Sequence, residues 1–385
     1  MLGCIHRKGW SALIIQAFLR WVEQASASNR ARAAAALGRA YATGGTPHLD
    51  RNAAEMGMTL LLDDPAPQVR QALAEALADC PHVPRAIILS LAQDRAETAY
   101  TVISRSPVLT DHDLVELVAR GSAEIRALIA ARHPVRAPLA AAIAEIGDEI
   151  AVSILIENAQ AQLTARTLAR LAERFRDHAA IRGGLLARAD LPAAVRAGLT
   201  EAVSEALAGF SLVARALGAD RAARITREAC DVATIHVSAA VPAPDMIRLV
   251  EHLRLRARLT PAFLLQALCA GKVALFAEAM VCLTGMGEAR VRAILSGGSG
   301  HAVRAMIERA GLGRDVSGLY MDAVLLWRRE NRLPEETGSV PKRLLARLRD
   351  LGGQANVAPG LAEIIEKLDI AEQRRQARRL ALDAA

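Results

Sequence analysis

The run 108-VLTDHDLVEL-117 sets Asp111, His112 and Asp113 side by side. Two carboxylates around an imidazole can bind a divalent metal or pass a proton, so an active site would be sought here first. The same residues also read as the start of a helix. Thr110-Asp111-His112-Asp113 follows the S/T-x-x-D/E pattern. The threonine hydroxyl accepts from the third backbone N–H, Asp113 reaches back to the cap, and both carboxylates meet the positive end of the helix. A second candidate is the glycine run 296-SGGSGH-301, whose backbone N–H groups would suit a phosphate. No strand leads into it and no Gly-Lys-Ser/Thr or Gly-x-Gly-x-x-Gly follows, so both nucleotide fingerprints fail. C-cap glycines with Ser299 as the next N-cap explain the run. His133 and His301 fall at predicted helix edges, and the nine histidines form no H-E-x-x-H. No G-x-S-x-G elbow and no zinc-deaminase signature is present. The sequence therefore nominates no catalytic, cofactor-binding or metal-ligating residue.

The elements that position these residues come from an internal repeat. Segments 83-VPRAIILSLA, 109-LTDHDLVELV, 135-VRAPLAAAIA, 163-LTARTLARLA and 191-LPAAVRAGLT align, and their terminal apolar residues Leu91, Leu117, Ile143, Leu171 and Leu199 are spaced 26, 26, 28 and 28 apart. Leu61, 30 residues before Leu91, starts the series. Between successive segments lies a second helix: 68-QVRQALAEALAD, 97-ETAYTVISR, 123-AEIRALIAAR, 149-EIAVSILIEN and 178-HAAIRGGLLAR. Apolar residues in these helices recur at three- and four-residue steps, as in Val69/Leu73/Leu77 and Ile150/Ile154, so each buries a stripe. One short amphipathic helix cannot bury that stripe alone, whereas a stack of pairs can. The fold class read from this is all-α, an α-solenoid of helix pairs with a period of 26–30 residues. In this register Thr110 and Thr164 open second-row helices as caps, and Pro192 opens another at N1.

Arginine recurs where the first-row helices end: Arg105, Arg132 and Arg188, with Asn158 at the matching place. A cation there meets free carbonyls and the negative end of the helix, and asparagine tolerates the left-handed conformation. With Arg166 and Arg170 on a second-row helix, the same arginines also read as a ladder for an acidic protein partner. Both readings stand on the sequence. In the tail, Arg374, Arg375, Arg378 and Arg379 form a candidate nonspecific anion contact.

Composition bounds the rest. Of 385 residues 52% are hydrophobic and only 3% aromatic, which favours helices over strands and excludes disorder. The net charge of +7 over so long a chain falls short of a dedicated nucleic-acid stripe. Five scattered cysteines without a C-x-x-C suggest neither disulfides nor a zinc ribbon, and fit a reducing cytoplasm. The apolar run in MLGCIHRKGWSALIIQAFLRW is too short to span a bilayer. The expected layout is a helical cap over 1–62, repeats over 63–210, a second helical module over 211–330, and a linker with a basic helical tail over 331–385. Trp10 and Trp21, eleven apart, share a face of the cap.

The motifs 104-SRSPVLTDHDLVELV, 131-ARHPV, 155-LIENAQA, 188-RADLPAAVR and 259-LTPAFLLQALCAG, in this order, resemble an uncharacterised bacterial family catalogued as domain of unknown function 2336, over roughly residues 60–315. Its members are similar to HEAT-repeat proteins. The resemblance implies a HEAT-like helical fold and supplies no activity, substrate or site residue.

Two functions are carried forward. The first is a non-enzymatic cytoplasmic scaffold or regulatory adaptor that binds a protein or peptide on its repeats. The second is a nucleic-acid-binding HEAT-like protein or DNA-repair glycosylase, which needs aromatic walls and a placed carboxylate. No cofactor, metal or membrane span is expected, and nucleic-acid contact is expected to be weak and sequence-independent. If Thr110 is a cap, Thr110→Ala lowers stability by about 1 kcal/mol while Asp111→Asn does little. Stoichiometric zinc or manganese in the purified protein, lost in Asp111→Asn, would contradict the cap.

Overall fold

The computed structural model describes residues 17, 20–22, 24–44, 51–332, 340–350 and 359–383. Among the described residues the regular structure is all helical, with one isolated bridge joining Val135 to Ala161. The chain divides into two compact units, Met1–Ala189 and Asp190–Ala385.

The first unit is a helical repeat. Its helices are α1 (Ala27–Thr43), α2 (Arg51–Leu62), α3 (Pro67–Leu77), α4 (Arg85–Ala92), α5 (Ala96–Arg105), α6 (Asp111–Arg120), α7 (Ala123–Ala130), α8 (Ala137–Ile146), α9 (Glu149–Glu157), α10 (Ala165–Arg174) and α11 (Ala179–Ala187). The odd-numbered helices α1 to α11 form one row in which each packs on the next. In the second row α2 packs on α4, α6 on α8, and α8 on α10. Helices this short are marginal alone, so packing is what holds them. Leu61, Leu91, Leu117, Ile143 and Leu171, the repeating positions, are all buried, and so are Val69, Leu73 and Leu77. In α9 the buried residues are Ala151, Val152, Leu155 and Ile156, while Ile150 faces out. The Ile150/Ile154 stripe expected from the sequence is therefore corrected by one residue. The segment 149-EIAVSILIE is apolar nearly all round, so periodicity alone does not choose its buried face.

At several helix ends the closing side chain reaches back one repeat. Arg132 donates to the carbonyls of Ile103 and, at 2.8 Å, Ser106, which end α5. The Asn158 side-chain amide donates to the Ala130 and Arg132 carbonyls beyond α7, at 3.0 and 2.9 Å. Arg188 donates to the Ile156 carbonyl of α9 at 2.7 Å. In the second row Arg174 at the end of α10 donates to the carbonyls of Ala144 and, at 3.1 Å, Gly147, which end α8. Terminal carbonyls have no partner within their own helix. A guanidinium or amide from the next unit satisfies them and meets the negative helix end. Burial pushes the Arg132 guanidinium's pKa down, with Arg136 adding to the effect. The carbonyls are what keep the buried cation hydrogen-bonded. At the other end of the row, Arg30, Arg70, Arg126 and Arg182, each fourth in its helix, donate to carbonyls of Ala25, Asp64, Val118 and Arg176 just ahead of that helix. Arg30 and Arg70 also pair with Asp64 and Asp94 at 2.6 and 2.5 Å, in the loops that open the next first-row helix.

The second unit comprises α12 (Ala193–Ala208), α13 (Ser211–Leu217), α14 (Ala219–Val237), α15 (Ala243–Leu255), α16 (Pro261–Cys269), α17 (Val273–Thr284), α18 (Glu288–Gly297), α19 (Gly300–Arg309), α20 (Arg314–Arg332), α21 (Val340–Asp350) and α22 (Pro359–Asp383). Helix α16 is buried on most of its circumference, through Phe263, Leu264, Leu265, Ala267 and Leu268, and packs on α14, α17, α20 and α22. The fifth repeat segment opens α12, so it belongs to this unit and not to the array ending at 210. The stretch 331–385, expected as a linker and separate tail, contributes Leu344, Leu345, Leu361 and Ile365 to the core. Three or four apolar positions per helix, too few to suggest a coiled coil, are enough to dock a helix on α16 and α20. Removing the chain beyond Glu330 would thus open a core. The carbonyl caps recur here: Arg328 donates to Ile294, Leu295 and Gly298, the end of α18.

Arg132→Met is expected to lower stability by about 1.5–3 kcal/mol, since hydrogen bonds from a charged group are lost and buried carbonyls stripped. Arg166→Met, at an exposed position, changes it by less than about 0.5 kcal/mol. Urea unfolding of the two variants checks this; equal small effects would remove the cross-repeat cap.

Candidate binding groove

The Asp111–Asp113 site resolves into a cap. Thr110 Oγ1 accepts from the Asp113 N–H at 3.3 Å, and Asp113 Oδ2 accepts from the Thr110 N–H at 2.9 Å and its hydroxyl at 2.7 Å. Arg85, on α4, grips the same carboxylate with two N–H groups, one at 2.9 Å. Asp113 is fully buried, and Arg85, then Thr110, hold its carboxyl down to about 2 from the ordinary 3.8. Asp111 instead faces Arg136 at 3.4 Å, and exposed His112 lies 3.5 Å from Glu116. Both oxygens of Asp113 accept hydrogen bonds and Arg85 balances its charge, so the cap accounts for the carboxylate. Among the described residues no group of three His, Cys, Asp or Glu is placed to hold one. In the glycine run Ser299 caps α19, accepting from the Ala302 N–H at 3.3 Å. Gly298 sits in extended backbone, and a Cβ there would lie 2.8 Å from the Ile294 carbonyl oxygen.

The candidate arginines are spread over both rows of the first unit. Arg132 and Arg188 serve carbonyls as described, and Arg105 pairs with Asp79, Nε to Oδ1 at 3.1 Å. Arg170 pairs with Glu145 at 2.7 Å and with Glu173 at 2.9 Å. Arg166 is exposed on α10; Arg170, by its hydrogen bond, holds the Glu145 carboxyl below its ordinary range, with Arg174 and Arg166 adding to it. In the second unit Arg374 and Arg378 are exposed on α22; the side chains of Arg375 and Arg379 lie outside the described residues, as does Trp10.

What the sequence did not single out is an open groove of about 700 Å³ on the outer face of the first row. It crosses α3 at Gln71, α5 at Ala96, Glu97, Tyr100 and Thr101, α7 at Ala123, Glu124, Ala127 and Leu128, and α9 at Ile150. Ala96 and Ala123, the exposed first residues of α5 and α7, and half-buried Ala127 are the small residues among its lining. Tyr100 and Ile150 line it too, 57% and 65% exposed. On an amphipathic helix the outward positions are expected to be polar, so large exposed apolar residues on the two helices flanking α7 mark a contact surface. Two carboxylates line the groove. Glu97 and Glu124 each occupy the second position of their helix, and hydrogen bonds from Ser122 and the Glu124 N–H pull the Glu124 carboxyl below its ordinary range. The signal available in 97-ETAYTVISR was Tyr100 itself, one of few aromatics and off the Ala99/Val102/Ile103 stripe.

Stacked helix pairs, cross-repeat caps and an open apolar groove along one row define an all-α helical-repeat protein. The chain belongs to the bacterial family of domain of unknown function 2336 (DUF2336), described as an uncharacterised protein conserved in bacteria, whose family model matches residues 98–358. The match starts later than the resemblance in the sequence suggested and runs further, through α21, in keeping with that helix's place in the core. A search of curated proteins and a search of solved structures each returned no match. Among the described residues no helix is long and apolar enough to cross a membrane.

Because the folded pKa of Asp113 lies below the ordinary 3.8, its ionised form adds stability that is full above that value and lost as the pH falls toward about 2. The urea midpoints of the parent chain and Asp113→Asn should therefore differ most at neutral pH and converge between about pH 4 and 2. A gap that does not change with pH would mean that the charge contributes nothing.

Proposed function

We propose that this protein is a non-enzymatic scaffold or adaptor that docks a protein segment in the groove of its first unit. The observation that carries this reading is the pair Tyr100 and Ile150, both exposed in a groove lined with them by Ala96, Ala123, Ala127 and Leu128. Apolar surface in a continuous groove costs free energy in water until something covers it. Stacked repeats present such surfaces as extended docking sites. A cytoplasmic setting accords with the free thiols of Cys80, Cys230, Cys269 and Cys282. Burial pushes the Cys269 thiol up to about 12, which keeps it unreactive.

The competing reading, nucleic-acid binding, draws support from the exposed Arg166, Arg374 and Arg378. Arg105, Arg132, Arg170 and Arg188 are engaged within the protein, and carboxylates line the groove. A glycosylase pocket encloses its flipped base, whereas this groove is open along its length.

A photo-crosslinking amino acid placed at Tyr100 is expected to give discrete protein adducts in cells, lost when Ala127→Arg fills the groove. The same probe at Arg166, on the other row, should give none. Duplex DNA binding by the full chain should be weak and should fall further in Arg374→Gln/Arg378→Gln. Tight, sequence-selective DNA binding with no protein adduct at Tyr100 would replace the scaffold reading.

A further inference from the structure

The repeat that builds the groove also sets a ruler along it. Glu97 and Glu124 are equivalent residues of α5 and α7, second in each helix and one repeat apart. Helices packed side by side lie about 8–10 Å apart. The two carboxylates therefore recur along the groove at about that interval. Exposed Glu75 on α3, hydrogen-bonded to the groove residue Gln71 at 3.2 Å, and exposed Glu149 beside Ile150 continue the acidic edge in both directions. No Lys or Arg is among the residues lining the groove; Arg70 pairs with Asp94, Arg105 with Asp79 and Arg126 with the Val118 carbonyl, while exposed Arg95 precedes Ala96 and His178 lies 3.3 Å from Glu149. In a chain of net charge +7 the charged residues that line the groove are thus both carboxylates, Glu97 and Glu124.

An occupant crossing the row must present cations at this interval on one side and apolar groups between them. In an α-helix, residues seven apart share a face and are about 10.5 Å apart, close to the helix spacing. An extended strand rises about 3.3 Å per residue, and its side chains alternate faces. Same-face residues then lie about 6.6 or 13 Å apart, and neither matches. A strand would also leave most of its backbone unpaired here, because helix walls offer only the few N–H groups of the first turns of α5 and α7. A helix satisfies its own backbone, and the lining alanines let it approach closely.

Resting on the docking function above, we propose that the groove binds a cationic amphipathic helix of a partner protein. It lies across α5, α7 and α9, with Lys or Arg at i and i+7 against Glu124 and Glu97 and aliphatic residues among Tyr100, Leu128 and Ile150.

The test uses the full chain and a labelled synthetic 21-residue helix with leucines on one face and lysines at i, i+7 and i+14, followed by fluorescence anisotropy. Two comparators are the same peptide with glutamate for lysine and one with the lysines moved to i+5 spacing. The seven-spaced lysine peptide should bind most tightly. Glu97→Gln and Glu124→Gln should each weaken it about five-fold at low salt, with the difference fading at high salt. Tyr100→Ala should weaken lysine and glutamate peptides alike. The two glutamine variants change exposed carboxylates, so unchanged thermal melts separate a binding effect from misfolding. Equal binding of the lysine and glutamate peptides, indifference to spacing, or no loss in either glutamine variant overturns the helix proposal. If Tyr100 still crosslinks to protein in cells after such a result, the docking function stands without it. With no crosslink both fall.

Discussion

The first unit depends on one contact made repeatedly: a donor at the end of one helix filling the empty carbonyls at the end of the helix one repeat earlier. Arg132 to Ile103 and Ser106, Asn158 to Ala130 and Arg132, and Arg188 to Ile156 are three instances in the first row. Helices of eight to ten residues leave much of their backbone unpaired at the ends. A fold made of them must find partners for those groups or lose the burial its leucines provide. Here the caps are supplied from the neighbouring repeat, so the same side chains that satisfy the ends also fix how far one repeat is displaced from the next. Apolar contact is tolerant of sliding; a guanidinium on two named carbonyls is not.

That register in turn makes the groove. The first-row helices share an outer face because their ends are held in step, and equivalent positions line up across them. Glu97 and Glu124 are neighbours for this reason, as are the alanines that line the groove. The protein's overall basicity conceals this. Several of its arginines are engaged with carbonyls or with Asp64, Asp94, Asp79 and Asp113, and the carboxylates that line the groove set its local sign.

Much of this was legible in the sequence. The spacing of Leu61, Leu91, Leu117, Ile143 and Leu171 gave the repeat, and Thr110 with Asp113 declared its cap, because both are local rules of period and hydrogen bonding. The arginines at helix ends were visible as a pattern, but not their partners. An arginine before Ser-Pro looks the same whether it serves its own helix or the previous one, and only the stacking decides. The exposed face of α9 was misassigned because isoleucine, valine and leucine surround that helix. The tail was set apart because the linker composition of 331-NRLPEETGSVP outweighed the few apolar residues of α21 and α22. A groove of alanines leaves almost no trace in a sequence so rich in alanine; Tyr100 was its one conspicuous mark.

The backward reach of the caps also bears on how such a chain changes over evolution. Each terminal donor answers to a carbonyl 26 to 32 residues earlier, so the unit of heredity is the interval and not the helix. A duplication or deletion of one whole interval rejoins a donor to an equivalent acceptor, whereas a change of a few residues strands both. Sequence drift inside a repeat is cheap by comparison, since Asn158 does the task of an arginine. Length in this array is therefore quantised, and gain or loss of a repeat alters the reach of the groove without redesigning its walls.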